Sequence, residues 1–151
     1  MTKQELIVLY RNLNNLGSLS GPKIAYAIAR NINKIKPEME AIDKSIEASD
    51  EYKAFENKRL ELVKEHCKKD ENGELIIKDG NYDVEDSYAA VYEDLKKEHA
   101  DVLAAREKQI EEYNELLDTE VSIDLFKVKF DSLPEDITAS QVHGILAIIE
   151  D

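Results

Sequence analysis

Leu6, Leu9, Tyr10, Leu13 and Leu16 recur three and four residues apart, the period of a helix that buries one face. Thr2 followed by Glu5 predicts a capping box at its start, and Gly17 a left-handed stop at its end. In the loop that follows, Ser20 or Gly21 caps a second helix whose first turn accepts Pro22, because a missing N–H costs nothing there. From Lys23 to about Lys69 the pattern stays helical, with Ile28, Ile32, Ile35, Met39, Ile42 and Ile46 forming one seam. Pro37 interrupts that seam. Tyr52 and Phe55 fall out of phase, while Leu60, Val63 and Cys67 return to register. The pattern fits one long irregular helix, or two end to end with Ser49-Asp50 opening a separate one.

Asn72-Gly73 and Asp79-Gly80 flank Leu75-Ile76-Ile77, with Tyr82-Asp83-Val84 beyond, and predict a β-hairpin over about 74–84. Helical spacing resumes near Asp86 and runs to Leu117 through Tyr88, Val91, Leu95, Val102, Ile110 and Tyr113. The chain therefore reverses into an antiparallel helical hairpin over about 21–117, its facing positions summing to about 155. Over 120–130 the period falls to two: Val121, Ile123 and Leu125 alternate with polar residues, as do Phe126, Val128 and Phe130 with Lys127 and Lys129. The phase slip between Leu125 and Phe126 predicts a bulge in one strand. Thr138 with Gln141 is a second capping box, opening a C-terminal helix over 139–149. The expected fold is a single α+β domain, 1–151, mostly helical. Its long helical hairpin is joined by a small antiparallel sheet from 75–77, 82–84 and 120–130.

Charge changes the picture more than composition does. The net charge is −13, yet residues 1–36 carry Lys3, Arg11, Lys23, Arg30, Lys34 and Lys36 against Glu5 alone. An acidic body repels phosphate backbones, so direct DNA or RNA binding is not expected. No apolar run is long enough for a membrane span, and the polar start does not read as a signal peptide. One cysteine excludes an internal disulfide framework and fits a reducing cytoplasm.

The chemistry-bearing residue types do not assemble into a metal or catalytic set. His66 and Cys67 are adjacent, so on a helix they point roughly 100° apart. The hairpin register pairs His66 with the region of Ala89 rather than with His99. No nucleophile–base spacing, phosphate loop or dinucleotide fingerprint is present, and neither an enzyme nor a cofactor is expected.

Two constellations remain. Gly17 to Lys23 ends at a helix N-terminus, where backbone N–H groups favour an anion. Lys23, Tyr26 and Arg30 follow on one face, and Arg11 of the preceding helix can close over it. Arg11, Ser18, Ser20, Gly21, Lys23, Tyr26 and Arg30 are thus the candidate site for a phosphate-bearing ligand with a stacked base. Tyr52, Phe55, Tyr88 and Tyr92 exceed what one partner helix covers, which points to an interface in a homo-oligomer.

Four stretches carry a resemblance: Gly-Pro-Lys-Ile-Ala-Tyr-Ala-Ile-Ala-Arg-Asn at 21–31, Lys-Lys-Asp-Glu-Asn-Gly at 68–73, Glu-Leu-Leu-Asp-Thr-Glu-Val-Ser-Ile at 115–123 and Asp-Ser-Leu-Pro-Glu-Asp-Ile-Thr at 131–138. In these the chain resembles a family of small proteins from tailed phages and prophages of low-GC Gram-positive bacteria. That family carries no assigned activity. The resemblance implies a phage gene expressed in the cytoplasm of an infected bacterium. The expectation is a non-enzymatic counter-defence protein that blocks a host protein or sequesters a small nucleotide signal. The alternative is a virion-assembly or scaffold protein that oligomerises.

Overall fold

The structure, a computed structural model, describes residues 1–16, 19 and 21–150. The helix stop at Gly17 and the candidate ligands Ser18 and Ser20 lie outside the described residues. Six helices are present among those described: α1 (Lys3–Asn15), α2 (Pro22–Ile46), α3 (Asp50–Glu65), α4 (Tyr88–Glu98), α5 (Ala100–Asp118) and α6 (Ala139–Ile145). The antiparallel pair β1 (Ile77–Lys78) and β2 (Asn81–Tyr82) and the parallel pair β3 (Val128–Lys129) and β4 (Ile149–Glu150) complete a mostly helical α+β fold. The chain divides into two compact units, Met1–Ile46 with Glu112–Asp151, and Glu47–Glu111.

In the first unit the predicted capping box is formed. Glu5 N–H donates to Thr2 Oγ1 at 3.1 Å, and Thr2 N–H to Glu5 Oε2 at 2.8 Å. The α1 face of Leu6, Leu9 and Leu13 is buried in one core with Ile24, Ala27, Ile28, Ile35, Met39 and Ile42 of α2. Each of the leucine, isoleucine and methionine side chains contributes roughly 1.5–3 kcal/mol before entropy is charged. The α2 seam therefore packs on α1, with Tyr113 and Leu117 from the end of α5 partly buried against the same core. Pro37 does not break α2. Both Pro37 and Asn33, whose carbonyl loses its partner, are exposed residues, so water can satisfy that group. The break comes later, where Ser49 Oγ accepts the Tyr52 N–H at 3.2 Å and opens α3.

The strand expected over 120–130 is a correction. Only Val128–Lys129 is a strand, and it pairs in parallel with Ile149–Glu150 rather than with the hairpin. Glu120 makes an isolated bridge to Thr2. At the expected bulge no neighbouring strand takes the backbone of Phe126. The fully buried Asn31 does: its Oδ1 accepts the Phe126 N–H at 2.7 Å and its Nδ2 donates to the Phe126 carbonyl at 2.8 Å. A side-chain amide has replaced a ladder rung, which satisfies the same accounting. Phe130 leaves the expected alternation, because a 3₁₀ turn over Phe130–Ser132 begins there and leaves the residue 59% exposed. The helix expected over 139–149 ends at Ile145, followed by a 3₁₀ turn over Leu146–Ile148 and then β4. Its capping box at Thr138 and Gln141 is present. Helix α6 lies close to α1: Asn12 Nδ2 donates to the Gly144 carbonyl at 3.1 Å, and a Cβ at Gly144 would stand 3.3 Å from that same carboxamide.

The second unit keeps the predicted register. Rings of Phe55 and His99 lie 5.6 Å apart, the Arg106 guanidinium sits 5.3 Å from the Tyr52 ring, and His66 Nδ1 is 3.1 Å from Ser87 Oγ. These pairs sum to within a few positions of 155, as an antiparallel hairpin requires. Its second arm is split at His99, where α4 ends and α5 begins. Between the arms, Asp79 and Gly80 both take positive φ, the geometry of a tight two-residue hairpin. Ile76 N–H donates to the Lys68 carbonyl at 2.9 Å, and Lys68 N–H to the Asp83 carbonyl at 2.8 Å. Lys78 and Lys68 contact the Asp83 carboxylate at 2.5 and 2.9 Å. Their hydrogen bonds, Lys78 first, hold that carboxyl below the usual aspartate range, and Asp83 in turn pushes Lys68 up.

Candidate functional site

Helix α2 sets the site's geometry. Ile24, Ala27 and Ile28 face the core, so Lys23, Tyr26 and Arg30 must stand on the opposite, exposed side. Gly21, at φ 120°, precedes the helix in a backbone conformation that side chains rarely adopt. Tyr26 is 56% exposed, and Arg30 Nη1 donates to its hydroxyl at 3.2 Å.

The segment anchored by Asn31 completes the face. Phe126 meets Tyr26 edge-on, centroids 5.5 Å apart and planes at 88°. The Arg30 guanidinium lies 4.8 Å from the Phe126 centroid and 5.9 Å from that of Tyr26. An arginine held over a ring keeps its outward N–H groups while losing little freedom when a ligand binds.

Lys127 and Lys129 line a depression of about 240 Å³ together with Lys23, Tyr26, Ser132 and Glu150. Lys127 Nζ donates to the Ala147 carbonyl, which fixes its stem, whereas Lys23 and Lys129 make no ion pair among the described residues. A neighbouring depression of about 420 Å³ runs along Ala29, Arg30, Asn33 and Lys34. Tyr26 borders both. Lys34 is engaged by Asp124 at 3.0 Å. Among the described residues, five cations thus meet two carboxylates, Asp124 and Glu150, on a chain whose net charge is −13.

Of the expected residues, Lys23, Tyr26 and Arg30 come together. Arg11 is exposed on α1, lines neither depression and makes no hydrogen bond or ion pair among the described residues. Phe126, Lys127 and Lys129 join the face without having been read as part of it. Their signal was two lysines, alternating with apolar residues, in the otherwise acidic part of the chain.

The four aromatic residues of the expected interface sit in the second unit. Phe55 is only 1% exposed and belongs to that unit's core, so it presents no contact surface. Tyr52 lies half-buried under Arg106, and Tyr88 and Tyr92 stack on each other at 5.5 Å. Contacts within one chain take up much of the apolar excess that pointed to self-association. His66 faces Ser87 and Tyr88, while Cys67 is buried beside the Ile76 carbonyl. Among the described residues no three His, Cys, Asp or Glu side chains converge as a metal centre, and no helix is long and apolar enough to cross a membrane. Comparison with protein-family models, with curated proteins and with solved structures finds no match to this chain.

Proposed function

We propose that this chain is a non-enzymatic binding protein whose ligand is a phosphate-bearing molecule with a planar base. The observation that carries this reading is the Arg30 guanidinium poised over Phe126, beside an exposed Tyr26 and the lysines at 23 and 129. A ring edge and face offer stacking to a base, and the cations offer charge-assisted hydrogen bonds to phosphate oxygens. An acidic protein holds an anion only where it gathers positive charge locally, and this face does so. In the phage setting that the sequence resemblance implies, such a protein sequesters a nucleotide signal on which host defence depends.

Each charge-assisted contact is worth about 1.5–3 kcal/mol, so Arg30→Ala and Lys129→Ala should each weaken binding roughly tenfold or more. Affinity should fall with added salt, because exposed lysines are screened. Calorimetry of purified protein against mono-, di- and cyclic nucleotides at low salt tests the reading, with mass spectrometry showing that bound nucleotide is released unchanged. Heats equal to buffer dilution across that panel, in protein shown to be ligand-free, would end it.

A further inference from the structure

The basic face stops at Lys129, and the next residue opens a different surface. A groove of about 660 Å³ lies between the Phe130–Ile137 segment and α6. Leu133, Ile137 and Val142 line it, and Phe130 and Leu146 stand at it 59% and 56% exposed. Two large apolar side chains left that open beside an apolar groove mark a contact surface rather than ordinary surface scatter.

The groove is also held in shape before anything binds. Leu133 N–H donates to the Phe130 carbonyl at 3.0 Å and Ile137 N–H to the Pro134 carbonyl at 3.2 Å, two consecutive turns. The Thr138 capping box fixes the start of α6 directly after them. A preformed groove loses little conformational freedom on binding.

Charge selects the occupant. Among the described residues, the charged or titratable ones lining the groove are Asp131, Glu135 and His143, and no Lys or Arg lines it. We propose that this groove docks an amphipathic segment of another protein. The segment presents large apolar side chains to Phe130, Val142 and Leu146, and Lys or Arg to Asp131 and Glu135. A second copy of this chain fits less well. A two-fold contact of groove on groove would set Asp131 and Glu135 against their own copies, between chains of net charge −13. The groove requires neither Arg30 nor Lys23, so the inference stands apart from the anion site.

The test uses the full chain and a dye-labelled synthetic amphipathic helix of leucine and lysine, with a leucine–glutamate helix as its counterpart. Fluorescence anisotropy should show binding of the first and not the second. Leu146→Glu and Glu135→Lys should each weaken it by about tenfold or more. Both positions are exposed, so melting curves should match that of the parent protein. Glu107→Lys, an exposed acid outside the groove, should leave affinity within about twofold. Three results would overturn the proposal: equal binding of both peptides, variants in the groove that bind like the parent, or a loss at Glu107→Lys as large as at Glu135→Lys. Light scattering that finds a dimer abolished by Leu146→Glu would overturn it too, by assigning the groove to a second copy.

Discussion

Asn31 on α2 bonds both backbone groups of Phe126, ninety-five positions away in the chain. It thereby couples the buried side of α2 to the ring that Arg30 covers on its exposed side. Replacing it with leucine leaves two backbone groups to find other partners, at about 1–3 kcal/mol each. Asn31→Leu should therefore lower unfolding free energy by about 2–4 kcal/mol in urea titrations. Nucleotide affinity should fall as well, although Asn31 lines neither depression. Full stability in that variant would mean that the Phe126 backbone is readily satisfied by water.

Pro37→Ala should stabilise the protein. Proline in a helix interior costs about 3 kcal/mol relative to alanine, part of it offset by the freedom proline removes from the unfolded chain. Position 37 is exposed, so alanine removes no buried packing. A gain of about 1–2 kcal/mol in thermal or chemical unfolding is expected. No gain would imply that α2 bends at Pro37 in a way its packing needs.

The hairpin of the second unit should weaken in acid. Lys78 and Lys68 hold the Asp83 carboxyl below its ordinary range, so the contribution is complete above the aspartate range and lost as pH falls through the lowered value. Lys68, pushed up by Asp83, keeps its share until pH rises beyond the ordinary lysine range. Amide exchange at Lys68, Ile76 and Asp83, which bond across this turn, should accelerate on acidification beyond its intrinsic pH dependence. Asp83→Asn should flatten that response. An identical acid response in the variant would assign it to another carboxylate.

Phe55 and Tyr92 separate packing from surface. Phe55→Ala removes a buried ring that touches Tyr52 and His99, and should cost about 3–5 kcal/mol. Tyr92→Ala removes only a half-exposed ring stacked on Tyr88, and about 1 kcal/mol is expected. Denaturant titrations showing equal losses would place Tyr92 in the core.

Local signals were legible in the sequence, because their physics is local. Both capping boxes, the Ser49 start and the Asp79-Gly80 turn each involve residues no more than four apart, and each is present. The hairpin register also followed within the second unit, since two helices joined by a short reversal have one antiparallel solution. The α2 seam, expected in the first arm of a hairpin over 21–117, packs on α1 instead. What escaped was long-range partnering. Nothing near Phe126 announces Asn31, and nothing in Val128-Lys129 announces Ile149-Glu150, so an extended segment read as a strand of the wrong sheet. The same gap split the basic face. Lys23, Tyr26 and Arg30 share one helix and could be read together, whereas Phe126 and Lys129 reach them only through the tertiary fold.

The close crossing of α1 and α6 bears on how this chain can vary. Any side chain at Gly144 presses on the Asn12 carboxamide, and that carboxamide is tethered to the Gly144 carbonyl. Neither position changes freely while the other stays as it is. Gly144→Ala alone should lose stability despite alanine's better helix propensity, and Asn12→Ala alone should lose the tether. The double substitution should lose less than the two single losses added together, because a smaller residue at 12 makes room for the methyl. Among related sequences, then, glycine at this point in the last helix should travel with asparagine in the first, and the two should be exchanged as a pair.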